Sequence, residues 1–261
     1  MSSRRSACAL QALACTSLLW LVSCRARPEP TSPPSPAPTL PSTPRLDTEP
    51  PGPLALVAIP VEQVHATLGT PRPLPGVAFS IDDPKLRATI PGSRGRGIEL
   101  EFRYLGATAR RAVLRSGTER AQLGLELAAR DTCNLVYVMW RLEPASELVV
   151  SVKQNEGAIR HAECENRGYR RLRADVAAPL PRLVPASVHR LRGELSGGRL
   201  AVLVDGERIW EGPLDDGALS LSGKVGLRSD NVRFEVLSLS ADLAPGGTKS
   251  GAASPSGTEV Q

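Results

Sequence analysis

An all-β fold, built as an antiparallel sandwich of two sheets, is predicted by three observations. Apolar and polar residues alternate in short runs across residues 54–243. Turn-forming clusters separate these runs, among them Ser196-Gly197-Gly198 and Asp205-Gly206. Long apolar stripes of helical period are missing. In chain order, "IELEFRY" (98–104) sets Leu100, Phe102 and Tyr104 on one face, with Glu99, Glu101 and Arg103 opposite. Residues 108–121 (TARRAVLRSGTERA) are the one stretch with some helical character, and Gly117 limits its length. "QLGLELAA" groups Leu123, Leu125 and Leu127. In "DTCNLVYVMWRLEP" (131–144), Val136, Val138 and Trp140 fall on one side and Tyr137, Met139 and Arg141 on the other. "ELVVSVKQN" sets Val150 and Val152 against Ser151, Lys153 and Asn155. "RLAVLVDGERIWEG" is a hairpin whose Asp205-Gly206 pair suits a type I′ turn. "KVGLRSDNVRFEVLSLSAD" supplies two more strands around Ser229-Asp230-Asn231. The spacing predicts ten to twelve short strands in one domain, long enough for a real core.

The first 24 residues set the compartment. Arg4 and Arg5 precede a mostly apolar run over residues 7–21, the layout of a signal peptide rather than a membrane span. The run ends in Leu21-Val22-Ser23-Cys24, which resembles a bacterial lipobox. The alternative is an ordinary secretory signal with a stray cysteine. The lipobox implies cleavage after residue 23, a lipid on Cys24 and a membrane partner reached through it. Arg25 in the next position resembles outer-membrane sorting. Residues 25–53 hold 11 prolines in 29 positions, a composition that predicts a disordered, extended linker. At about 3.1 Å per residue it would reach on the order of 90 Å. Residues 244–261 read as a second disordered tail.

With Cys8 and Cys15 in the signal and Cys24 acylated, two of the five cysteines remain, Cys133 and Cys164. In an oxidising compartment such a pair is expected to form a disulfide. No second CxxC or HExxH pattern accompanies them. The formal charge is +5, and acids are spread throughout. Without a basic patch interleaved with aromatics, nucleic acid is not an expected partner. No internal repeat is visible.

Residues 187–242 carry a resemblance. A strand leads into Leu200–Gly206, then Gly223–Asp230 (GKVGLRSD), then a last strand with Phe234. This pattern resembles the closing strands of concanavalin A-like lectin/glucanase domains, LamG-type modules included. The resemblance implies a jelly-roll sandwich. It implies either a non-catalytic carbohydrate-binding module or a carbohydrate-processing enzyme, since the fold hosts both.

The enzymes of that fold carry spaced carboxylates on one strand, as E-x-D-x-E. Glu99-Leu100-Glu101 is the nearest approach, and it lacks the central Asp. Ser187 and His189 come without a G-x-S-x-G elbow, so no triad is expected. Asp82-Asp83, Asp215-Asp216 and Asp230-Asn231 are loop oxygens of the kind that bind calcium, and turn chemistry explains them equally. The expected binding residues lie on polar strand faces near the cysteine pair: Tyr137, Arg141, Lys153, Asn155, His161 and Glu163. They offer a ring face and hydrogen bonds to a glycan or wall polymer. In "HAECE", Glu163 and Glu165 share a face if the segment is extended, and Glu163 is the one carboxylate there placed to act as an acid or base. Missing paired carboxylates favour a binder over an enzyme. A purely structural lipoprotein is the third expectation.

Overall fold

The alternating runs become strands. A computed structural model describes residues 54–245, apart from Arg115 and the side chain of Val77. The signal peptide, Cys24, the proline-rich linker and nearly all of the C-terminal tail lie outside the described residues.

The first strands are β1 (Val57–Ala58), β2 (His65–Leu68), β3 (Arg72–Leu74), β4 (Val77–Ile81) and β5 (Lys85–Ile90). The middle holds β6 (Ser93–Ala107), β7 (Ala121–Ala129), β8 (Leu135–Glu143) and β9 (Glu147–Lys153). The one-turn helix α1 (His161–Cys164) precedes β10 (Tyr169–Arg171) and β11 (Val176–Ala177). Then come β12 (Val188–Ser196), β13 (Arg199–Val204), β14 (Glu207–Pro213), the one-turn helix α2 (Asp216–Leu219), β15 (Lys224–Asp230) and β16 (Val232–Leu243).

All pairings are antiparallel, and they build two sheets. The nine-stranded sheet runs β11-β14-β13-β12-β6-β16-β4-β3, with β1 also on β16. The seven-stranded sheet runs β10-β9-β8-β7-β15-β5-β2. The chain is therefore an antiparallel two-sheet sandwich of jelly-roll type.

The inner faces pack as the alternation predicts. Leu123, Leu125 and Leu127 of β7 face the core with Val136, Val138 and Trp140 of β8. From the other sheet, Phe102 sets its ring edge-on to Trp140 at 6.1 Å and to Phe234 at 6.3 Å. Burying a side chain of this size contributes roughly 1.5–3 kcal/mol. Glu99 and Glu101 lie on the outer face of the nine-stranded sheet, where Arg190 and Arg192 of β12 pair with them across the strands. They are a cross-strand ion-pair ladder.

Three expectations need correction. Among the described residues sixteen strands replace the expected ten to twelve, because two- and three-residue strands such as β1, β3, β10 and β11 are too short and too exposed to show alternation. The described residues of 108–120, all but Arg115, contain no helix, and Gly117 sits in a turn at φ 77°. "HAECE" is a helical turn rather than an extended segment, so the two-residue period that would align Glu163 with Glu165 does not apply.

The turns behave as their residues require. Asp205 and Gly206 have φ of 54° and 86°, both positive as a type I′ hairpin demands. Asn231, at φ 58°, carries the chain from β15 in one sheet to β16 in the other. Its buried side chain bonds the backbone of Ala112 at 2.7 and 2.9 Å and the Arg120 carbonyl at 2.8 Å, which pins the 108–120 loop.

Candidate functional site

The second face of the seven-stranded sheet carries the polar half of each alternating run. Register aligns it in rows. Arg171, Ser151, Tyr137 and Glu126 lie side by side across β10, β9, β8 and β7. The next row runs Val149, Met139, Gly124, Arg228 and Arg87, across to β5. A third runs Glu147, Arg141, Gln122 and Asp230. Gly124 is required in this floor, because a Cβ there would overlap the Val138 carbonyl oxygen.

Above these rows lies a cleft of about 1130 Å³. Val113, Leu114 and Ser116 of the loop held by Asn231 form one wall. Arg130 to Thr132, with His161 and Asn166, form another. That second wall is held by the disulfide between Cys133 and Cys164, whose Cα atoms are 5.9 Å apart. The bridge expected from the cysteine count is present. It joins the approach to β8 to α1.

The floor is charged although it is buried. Glu126 is only 5% exposed, and its Oε1 has no hydrogen-bond partner among the described residues. Burial raises the Glu126 pKa to about 7, with Arg87 and Arg228 opposing the rise. Asp230 is fully buried and accepts from Gln122 Nε2 at 2.7 Å, Arg228 Nε at 3.1 Å and Arg87 Nη2 at 3.4 Å. Burial works against its charge, but Arg228 and Arg87 outweigh it and hold the carboxyl below its ordinary range. The Arg228 guanidinium lies 4.8 Å from the Tyr137 ring centroid. Tyr137 in turn stacks on Tyr169, with centroids 5.9 Å apart and planes 21° from parallel. Burial, then the Glu126 carboxylate, pushes the Tyr137 phenol up, so it stays protonated.

Of the six residues expected from the sequence, Tyr137, Arg141 and His161 line the cleft. Lys153 is fully buried beside it. Its ammonium donates to the carbonyls of Glu165 at 2.8 Å and Thr132 at 3.3 Å, and lies 5.1 Å from the Tyr169 ring centroid. Burial, then Arg228 and Arg87, lowers the Lys153 pKa to about 8. Asn155 bridges the carbonyls of Cys133 and Arg167 at 3.2 and 3.1 Å. Glu163 caps α1, accepting the backbone N–H groups of Ile159 and Arg160 at 2.8 and 3.0 Å. Those bonds hold its carboxyl below the ordinary range. Lys153, Asn155 and Glu163 thus support the disulfide-bearing segment from positions outside the cleft lining.

Glu126, Arg87, Arg228 and Tyr169 join the site without being among the residues expected from the sequence. Glu126 and Arg228 were legible in part. Glu126 alternates with Leu125 and Leu127, as Arg228 does with Leu227, so both had to leave the core face. Tyr169 sits on a three-residue strand with no pattern to read.

Two of the loop aspartates named as candidate calcium ligands make contacts within the fold. Asp83 accepts the Thr70 N–H at 2.8 Å. Asp215 caps α2 through the Ala218 N–H at 2.8 Å and pairs with Arg170. Among the described residues no three His, Cys, Asp or Glu side chains cluster as a metal site would need. Ser187 and His189 do acquire a third member. His189 Nδ1 lies 2.7 Å from Asp205 Oδ2, and Nε2 lies 3.1 Å from Ser187 Oγ. The aspartate comes from the β13–β14 turn, which sequence spacing did not connect to them. Ser187 Oγ also accepts the Val184 N–H at 3.3 Å, and the series lies outside the cleft lining. It ties the hairpin turn to the approach to β12.

No protein-family model matches the chain, and no curated protein matches its sequence. Solved structures do. A carbohydrate-binding module, CBM66 from Bacillus subtilis, is similar at 13% identity and a TM-score of 0.45, over 69% of this chain and 93% of the module. The Emp46p carbohydrate recognition domain in its metal-free form is similar at 13% identity and a TM-score of 0.44, over 70% of this chain and 88% of the domain. The Crh5 transglycosylase in complex with NAG is similar at 11% identity and a TM-score of 0.41, over 70% of this chain and 80% of the enzyme. At these values the likeness carries no functional weight.

Proposed function

We propose that this chain is a lipid-anchored envelope protein whose β-sandwich binds a glycan or wall polymer without cleaving it. The observation that carries the reading is the cleft floor, where the stacked Tyr137 and Tyr169 rings adjoin buried hydrogen-bonding groups. A sugar presents the matching surface, with a C–H face for the exposed Tyr169 ring, which the buried Tyr137 backs, and hydroxyls for polar atoms. Arg141 and His161 line the same cleft, and Glu126 Oε1 offers an unmet acceptor. Lys153, Asn155 and Glu163 would act by holding the wall and Tyr169 in place. A saccharide of two or three rings fits the size of the cleft.

The charge pattern supports binding over hydrolysis. Glycosidases that use a carboxyl pair hold the two groups roughly 5–9.5 Å apart, both available to substrate. Two carboxylates are among the described lining residues, Glu126 and Asp131. The Asp131 oxygens are engaged by the Cys133 N–H at 2.7 Å and by Asn134 Nδ2 at 2.9 and 3.0 Å. One observation favours the second reading, a carbohydrate-processing enzyme. Glu126 has a pKa of about 7, suited to a general acid.

A glycan array followed by a product assay on each hit separates the readings. Binding without bond cleavage is the expected result. Glu126→Gln should then change affinity by a modest factor. Cleavage of a bound glycan that disappears in Glu126→Gln would establish the enzyme instead. An empty array on folded protein would leave the structural lipoprotein.

A further inference from the structure

Resting on the saccharide reading, we infer that the cleft selects acidic oligosaccharides and seats their anionic group at the Arg120–Arg141 end. Nine lysines and arginines are among the described residues lining the cleft, against two carboxylates. Three further carboxylates, Asp230, Glu147 and Asp215, pair with these cations from beneath the floor and from the rim. With all five acids ionised the cleft still holds a surplus of four positive charges. A neutral sugar gains nothing from that surplus, whereas an anion relieves it.

Two of the four surplus charges lie together at one end. Glu147 is shared by two guanidinium groups. Arg141 pairs with one of its oxygens, and Arg171 donates to the other at 2.8 Å. Arg120 adds a third positive charge, and its field acts on both Arg141 and Glu147. Three cations thus surround one carboxylate. Arg141 Nε is buried without a hydrogen-bond partner among the described residues. Crowded like charges and an unmet donor are what a bound carboxylate, sulfate or phosphate ester would satisfy, by the paired geometry guanidinium groups favour.

Distance sets the size of the occupant. Tyr137 and Arg141 stand four residues apart on one face of β8, about 13 Å at ~3.3 Å per residue. A ligand touching both the tyrosine pair and the arginine end is longer than one sugar ring. Its ring stacks on the exposed Tyr169, and its acid group lies further along.

The test is an array of paired glycans on the full-length protein, in which every acidic oligosaccharide has a neutral partner of the same backbone. A single-stranded oligonucleotide serves as a non-saccharide polyanion. Acidic members should bind at least about tenfold more tightly than their partners. The preference should shrink as salt rises from about 0.1 M to about 1 M and the Debye length falls from about 10 to about 3 Å. Arg120→Ala, on the loop wall away from the core, should lose most of the preference while keeping the neutral partner's affinity. Arg141→Ala should also lose most of the preference, together with some of the neutral partner's affinity because Arg141 lines the cleft, with a melting curve confirming that it is folded. Equal binding of acidic and neutral members would overturn the acid selectivity and leave glycan binding standing. Binding of no glycan at all would overturn both. Oligonucleotide binding as tight as that of the best glycan would overturn a saccharide as the occupant.

Discussion

Glu126 is the residue in which burial and charge conflict most directly. Its pKa is about 7 in the folded chain against an ordinary 4.5. Between those values the folded state holds a proton that the unfolded chain has released. Stability therefore falls as pH rises from about 4.5 to about 7, and the loss is complete above that. The shift corresponds to roughly 3 kcal/mol. Glu126→Gln cannot ionise, so it should be more stable than the wild type at pH 8 and nearly equal at pH 4.5. Tm measured across that range checks this, and a variant that keeps the wild-type pH slope would show that another group sets it. This residue was half legible. Alternation with Leu125 and Leu127 placed it off the core face, but nothing local indicated that the other face would also be covered. Arg87 and Arg228, the charges that most oppose the effect of burial, lie 39 and 102 positions away in sequence. Lys153 shows the converse. Its polar strand face marked it as a binding residue, while its ammonium is turned to the carbonyls of Thr132 and Glu165.

At the scale of elements, two devices shape the cleft walls. Asn231 pins the 108–120 loop, and the Cys133–Cys164 bridge holds α1 to the approach of β8. The bridge closes a sequence separation of 31. In the chain-entropy model that stabilises the fold by about 3–4 kcal/mol. Cys164→Ala should lower Tm by on the order of 10 °C. Scanning calorimetry reads the shift, and a change below about 2 °C would mean that the hydrogen bonds of Asn155 and Lys153 hold the segment without it. Reduction should also weaken any ligand bound against His161, since that wall loses its covalent tie. The bridge was legible because counting cysteines by compartment left only two. The helical turn was not, because four residues are too few to show a 3.6-residue period, and its cap depends on Glu163 meeting two backbone N–H groups.

At the scale of the whole molecule, the sandwich separates two tasks. One face of the seven-stranded sheet meets the core, and the other carries the cleft. Residues 1–53 bear on where that cleft would work. If Cys24 is lipidated as the lipobox resemblance implies, Cys24→Ala should release the protein from membranes. Carbonate washing of the membrane fraction followed by immunoblotting is the check, and a variant that stays in the pellet would remove the anchor from the proposal.

The sequence by itself determined what depends on neighbouring residues or on counting. Alternation specified an all-β sandwich and the inward faces of β6, β7 and β8. Asp205-Gly206 specified a type I′ hairpin, and two leftover cysteines specified their bridge. Tertiary structure alone decided which strands are neighbours. Glu126, Arg228, Arg87 and Tyr137 become one cluster only because β8, β7, β15 and β5 are adjacent in the sheet. His189 meets Asp205 through a hairpin register in the same way. Strand order follows from packing two sheets over a shared core, a global condition. A strand's own pattern tells which face it buries, but not which partners its other face will meet.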